Sequence, residues 1–298
     1  METVRITSRS NETLKRARAV RDGRERDFVF IEGVRLCEEA VRSGLDVAEI
    51  LIAESLSDEP RARRVCEALQ GKASRLCLLS DELLASVSDT KTPQGLILLA
   101  RRPATDRASF ERQLTARAEA LLVVVLHKLN NPSNAGAILR TSEAAGASGV
   151  IATSGTTDLF SAKALRGAMG SAFRLPIWTG PSLPDVSRWC AQQKMSLVAT
   201  DARAELLYTE RDWRVACAVL FGSEAHGLEH DEMKETMTLV RIPMRPPVES
   251  LNVATAAAVV LYEAARQRGF LSLTNDASLE PKGANLAEDR SSTNQIEQ

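Results

Sequence analysis

The six apolar residues Leu121 to Leu126, followed by the turn-forming stretch Asn130-Asn131-Pro132, constrain the fold of this chain more than any other feature. The run is too short for an ordinary helix. With no polar alternation, it suits a strand buried on both faces, the position strands take in the middle of a parallel sheet. Val150-Ile151-Ala152, Leu197 to Thr200 and Cys217 to Phe221 repeat this character, and the stretches 135–146, 161–171 and 185–194 between them read as helices. Such alternation predicts an α/β unit with a mostly parallel sheet. The hydrophobic content is 44% but aromatics are only 4%, so the core is aliphatic. Few rings remain for stacking unpaired bases, the device of many single-strand RNA readers.

The first third of the chain carries a second, smaller set of elements. Phe28 to Ile31 and Glu49 to Ile52 read as short buried strands, with a helix from Val34 to Ser43 that ends at Gly44. Pro60 to Leu69 suits a further helix, Leu76 to Leu79 a third strand, and Gly95 to Ala100 a fourth after the Lys91-Thr92-Pro93-Gln94 turn. Arg101 to Arg107, with Pro103, reads as a linker. Asn252 to Arg268 is an Ala-rich helix stopped by Gly269, and beyond Leu273 the composition turns polar. The 298 residues therefore divide into an α/β domain over 1–102, a linker and first helix over 103–118, a second α/β domain over 119–270 and a disordered polar tail over 271–298.

A formal net charge of -1 hides an uneven distribution, because residues 1–26 hold eight Arg or Lys against four acids. Either a solvated helix face or a phosphate-binding surface accounts for that cluster. The five cysteines are scattered without a C-x-x-C pair, which speaks against a zinc site or a disulfide framework. No apolar run is long enough to span a bilayer and no signal peptide opens the chain, so a cytoplasmic protein is expected.

Three polar segments follow apolar strands at their carboxyl ends, the edge at which open α/β sheets bind ligands. The first holds Asn134, Gly136 and Arg140; the second Gly222, Glu224 and Gly227; the third Ile242 to Met244 and Ser250 to Val253. Taken singly, Asn134, Ser250 and Asn252 are helix caps, Arg140 is a solvated arginine and Glu224 belongs to a turn. One ligand site explains all three segments together. His226 and His230 flank Gly227, which weakens a regular ligand pair, and no metal site is expected.

In this order the segments resemble the three signature motifs of the SpoU (TrmH) family of SPOUT RNA 2′-O-ribose methyltransferases, over roughly residues 1 to 270. The resemblance implies an N-terminal substrate-binding domain of the ribosomal-protein L30e type, carried here by Thr7 to Asn11, Phe30-Ile31-Glu32-Gly33 and Pro93-Gln94-Gly95. It further implies a SPOUT α/β domain with a C-terminal trefoil knot that holds S-adenosylmethionine. Gly222, Ile242 and Leu251, with Thr200, are the implied cofactor contacts. Arg140 is expected to clamp a phosphate and the ribose hydroxyl, Glu224 to orient Arg140, and Asn134, Ser250 and Asn252 to complete the catalytic site. Arg9, Lys15, Arg16, Arg140 and Arg166 are the expected RNA contacts. The family's acidic residue ahead of the first motif is replaced here by His127-Lys128, and its Arg-Ala-Ser-Met-Gly stretch reads Arg166-Gly167-Ala168-Met169-Gly170.

The family also implies a homodimer contact on the last helix, through Val259, Leu261 and Tyr262, although burial within one subunit accounts for those residues equally well. Ribosomal RNA is the expected substrate. A transfer-RNA methyltransferase and a non-catalytic RNA-binding or ribosome-assembly protein of the same fold are the alternatives. A nicotinamide-dependent Rossmann enzyme lacks its G-x-G-x-x-G fingerprint in this chain.

Overall fold

The computed structural model describes residues 2–114, 120–222 and 237–269. In the first part, β1 (Glu2–Ile6), α1 (Glu12–Arg21), β2 (Phe28–Glu32), α2 (Val34–Arg42), β3 (Val47–Ala53), α3 (Pro60–Ala68), β4 (Arg75–Leu79), α4 (Asp81–Ala85) and β5 (Leu96–Arg101) build a five-stranded sheet ordered β1-β4-β3-β5-β2. β5 lies between β2 and β3 and runs antiparallel to both, so the two strands joined by α2 are not neighbours. Alternation along the strands sorts their side chains onto two faces. Val29, Ile31, Ile50, Ile52, Leu96 and Leu98 meet α2 and α3, while Phe28, Phe30, Leu51, Ile97 and Leu99 meet α1 and α4. The strand β1 escapes a reading by apolar runs because it is an edge strand with exposed charges, and only Ile6 is buried.

The second part comprises α5 (Arg107–Leu114), β6 (Leu122–Leu126), α6 (Pro132–Ala144), β7 (Gly149–Ala152), α7 (Ala162–Ala168), α8 (Ser171–Arg174), β8 (Ile177–Thr179), α9 (Leu183–Gln192), β9 (Ser196–Thr200), β10 (Cys217–Phe221), β11 (Met237–Val240) and α10 (Val253–Gln267). Its six strands, ordered β11-β9-β10-β6-β7-β8, are all parallel. As the apolar runs predict, every residue of β6 and of β10 is buried. Leu122, Val124 and Leu126 face the layer of α6 and α10, while Val123 and Val125 face α5 and α9. The helix expected over 161–171 is broken. Met169 and Gly170 adopt left-handed backbone (φ 48° and 93°), which ends α7 and starts the short α8.

The two layers that matter for the site, α6 and α7, touch backbone to backbone. A methyl group on Gly136 would stand 2.3 Å from the Ala164 carbonyl oxygen, and one on Gly167 would stand 3.2 Å from Gly136 Cα. Gly167, which replaces the family's alanine, thus has a packing reason. On its other side α7 packs on β2, and Arg166 Nη1 lies 2.7 Å from Asp89 Oδ2 in the first sheet's β4–β5 connection. That connection is itself anchored by buried Glu32, whose carboxylate accepts hydrogen bonds from the Ser88 hydroxyl, the Asp89 N–H (2.9 Å) and the Thr90 hydroxyl (3.1 Å). Arg102, expected in a plain linker, makes a bidentate pair with Asp158. The expected tail, 271–298, lies outside the described residues.

Because nothing can move away cheaply from the Ala164 carbonyl, Gly136→Ala is expected to cost about 1–3 kcal/mol through overpacking. Calorimetric unfolding should record a fall of several degrees, while a Gly180→Ala control, whose added methyl meets no atom within 4 Å, lacks that steric contribution and loses only what its φ of 90° imposes.

Candidate active site

Pro132 fixes the backbone for the first turn of α6, and Asn131, not Asn134, caps it by accepting from the Ser133 N–H at 2.9 Å. The helix therefore starts three residues earlier than the spacing predicts. This corrects the expectation of Asn134 as a cap and releases its side chain. Its Oδ1 accepts from Asn252 Nδ2 at 3.3 Å, across 118 residues of chain. Asn252 does cap α10, its Oδ1 taking the Ala254 N–H at 2.9 Å and the Thr255 N–H at 3.4 Å. Ser250, the other candidate cap, makes no such bond and remains exposed. The first and third segments thus converge, as one ligand site requires.

Beside this contact a cleft of about 500 Å³ opens at the carboxyl ends of β9, β10 and β11. Thr200, Gly222, Ile242, Ser250, Leu251 and Asn252 all line it, so all four expected cofactor contacts and two of the expected catalytic residues share one pocket. Its size lies in the range of small-molecule sites. Asp201 and Ala202, which follow β9, also line it and were missed by motif reasoning. The signal for them was position alone, since they leave a parallel strand beside the central one. The Asp201 carboxylate is engaged with Arg203, accepting from its N–H at 2.7 Å and its guanidinium at 3.1 and 3.2 Å. Another residue near the strand ends is buried His127, whose Nδ1 lies 2.9 Å from the Thr153 hydroxyl.

Arg140 does not line this cleft. Six residues along α6 from Asn134, it stands about 9 Å further along the axis and roughly 120° around it. It is exposed, and opens instead onto a second cleft between the two sheets, with Arg35, Glu39, Glu143, Met169 and Arg174. Within one chain its side chain thus lies away from the cleft that Asn134 adjoins. Glu224 and Gly227, the core of the second motif, lie outside the described residues, as does His226.

Of the expected RNA contacts, Arg9 has an exposed side chain. Lys15 pairs with Glu12 at 2.7 Å. Arg16 is held by Glu25 (3.2 Å) and Glu49 (3.1 Å) and lies over the Phe28 ring at 3.9 Å, while Arg166 is held by Asp89. Much of the basic N-terminal stretch therefore ties the first domain together. Among the described residues, no group of three His, Cys, Asp or Glu side chains is placed to hold a metal ion, and no helix is long and apolar enough to cross a membrane.

The profile of the SpoU rRNA Methylase family matches residues 121–262, and that of the MRM3-like substrate binding domain matches residues 11–98. An uncharacterized tRNA/rRNA methyltransferase of Synechocystis is 32% identical over 266 residues, covering 88% of this chain and 94% of that protein. The Bacillus subtilis 23S rRNA (guanosine(2553)-2′-O)-methyltransferase RlmP is 30% identical over 260 residues, covering 86% and 97%. The crystal structure of an AdoMet-bound rRNA methyltransferase from Sinorhizobium meliloti superposes with a TM-score of 0.76 at 27% identity, covering 89% of this chain and 98% of the other. Fold and pocket together are those of a methyltransferase with an appended substrate-binding domain. The chain belongs to the SpoU rRNA methylase family.

Asn252 has two separable tasks, and its variants should divide them. Asn252→Ala removes the cap and is expected to cost about 1 kcal/mol in thermal unfolding. Asn252→Asp keeps the capping oxygen but loses the donor to Asn134, so it should retain most of that stability while lowering methyl-transfer activity.

Proposed function

We propose that this chain transfers the methyl group of S-adenosylmethionine to a ribose 2′-hydroxyl of ribosomal RNA, in the cytoplasm. The observation that carries the reading is the meeting of Asn134 and Asn252 at the mouth of the strand-end cleft, which joins motifs far apart in sequence into one site. Membership in an rRNA methylase family supports it, as does the chain's similarity over most of its length to a protein named for ribose methylation of 23S rRNA.

The residues present suit the donor. Leu251, Ile242 and Val240 offer apolar surface, Gly222 presents open backbone, and Ser250 and Asn252 supply polar groups at one side of the cleft. When bound there, S-adenosylmethionine supplies an electrophilic methyl carbon. The protein's own task is to hold the hydroxyl oxygen in line with that carbon, and alignment contributes most when the nucleophile is as weak as a ribose hydroxyl. Asn134 and Asn252 hold the oxygen's surroundings in place. Arg140, whose guanidinium presents only hydrogen-bond donors, grips the adjoining phosphate and the hydroxyl oxygen. Glu224 orients that arginine. The 2′-hydroxyl itself distinguishes RNA from DNA.

Arg140 and the cleft lie on different sides of α6, so the arginine serving each cleft comes from a second copy of the chain. Exposed Val248 and Leu251 near the cleft, with exposed Tyr262 on α10, supply apolar surface for that homodimer. Of the other two residues expected there, Leu261 is buried and Val259 is partly buried within one copy. Residues 1–102 form the RNA-binding domain and 119–270 the catalytic domain, which carries a C-terminal trefoil knot.

Arg140→Ala should lower methyl transfer from labelled donor to rRNA at least about a hundred-fold while leaving calorimetric donor affinity within about two-fold. Mixing Arg140→Ala with Ser250→Trp, which fills the cleft from a loop, checks the dimer. Sites shared between copies should recover about a quarter of wild-type activity in the random mixture. Sites contained in one copy should recover none.

A further inference from the structure

The cleft that receives Arg140 is bounded on its other side by α2 of the substrate-binding domain, and its charges are unevenly satisfied. Arg174, from α8, reaches between the domains. Its Nη1 donates to Glu39 Oε2 at 2.6 Å, and its Nε and Nη2 donate to the two oxygens of Glu143 at 2.6 and 2.8 Å. The remaining oxygen of Glu39 accepts from Arg42 at 2.8 Å. Gly170 makes room for this arrangement, since a methyl there would stand 2.7 Å from both Arg174 Nη1 and Glu39 Cβ.

Two arginines lose their natural counterions as a result. Arg35 stands one helical turn before Glu39 on α2, and Arg140 stands three residues before Glu143 on α6, spacings at which each would ordinarily pair with that carboxylate. Both carboxylates are occupied by Arg174 and Arg42. Arg35 and Arg140 are exposed, and neither has a hydrogen-bond or ion-pair partner among the described residues. They line the same cleft of about 390 Å³, one from each domain.

We infer that Arg35 and Arg140 form a two-domain clamp for the RNA phosphodiester backbone, with Arg35 a substrate-binding residue contributed by the N-terminal domain. The inference rests on the methyltransferase reading above. Guanidinium groups without carboxylate partners favour phosphate oxygens. A clamp divided between the domains engages fully only when the substrate domain is seated on α6 and α8, so RNA binding and domain seating reinforce one another.

The test uses the full-length chain, an unmodified 23S rRNA transcript and three variants: Arg35→Ala, Arg35→Lys and Arg64→Ala. Arg64, exposed on α3 and outside the cleft, controls for the loss of one positive charge. Arg35→Ala should raise the RNA Kd and KM about five-fold, leave kcat and donor affinity near wild type, and flatten the slope of log K against log salt by about 0.7. Arg35→Lys should restore most of the affinity, and Arg64→Ala should change it less than about two-fold. If Arg35→Ala matches Arg64→Ala in affinity and salt slope while the wild-type chain transfers methyl to the RNA, the clamp is overturned and the methyltransferase reading stands. If the wild-type chain transfers no methyl to RNA, both fall.

Discussion

The contact between Gly136 of α6 and Gly167 of α7 is the constraint on which the rest of this structure depends. Only without side chains at these two positions can the helices approach until backbone meets backbone. The approach sets where α6 lies beneath the sheet, and α6 carries both Asn134 and Arg140. It also sets where α7 lies, and α7 presents Arg166 and an apolar face to β2 of the first domain. One close packing thus fixes the strand-end cleft, the domain cleft and the seating of one sheet on the other.

Electrostatics at that seating follow a simple rule of occupancy. Glu39, Glu143, Asp89 and Asp158 each bind an arginine across the domain boundary or beside it, namely Arg174 twice, Arg166 and Arg102. These partly exposed pairs contribute little stability one by one. Their larger effect is selective, because Glu39 and Glu143, occupied by Arg174 and Arg42, do not neutralise Arg35 and Arg140 beside them. The same logic runs the other way at the N-terminus. There Arg16, Arg18 and Arg21 donate to carboxylates and backbone carbonyls, and a stretch that looks basic in sequence presents less open charge in the fold.

The strand-end cleft owes its position to topology. β10 and β6 are central, with β9 and β11 beyond β10 and β7 and β8 beyond β6; all run parallel, and the side to which successive strands are added switches there. Loops leaving such a point diverge and leave a crevice between them. Here the crevice is closed on one side by the α10 cap, so Asn252 serves helix and site at once.

By itself the sequence determined the buried strands and the long helices, since uninterrupted apolar runs such as Leu122–Leu126 can be satisfied only between two covered faces. The residues that line or adjoin the strand-end cleft were legible as well, because Asn134, Gly222, Ile242, Ser250 and Asn252 sit in ordered motifs at strand ends. Short edge elements such as β1 and β8 were not, for β1 buries only Ile6 and β8, though Ile177 and Trp178 are buried, is too short to carry an apolar run. Only the tertiary structure decided which asparagine caps α6, that Arg140 turns away from the cleft beside Asn252, and that Arg35 shares its neighbourhood. Such outcomes depend on helix rotation and on competition between side chains distant in the chain, and neither leaves a local pattern for a sequence to show.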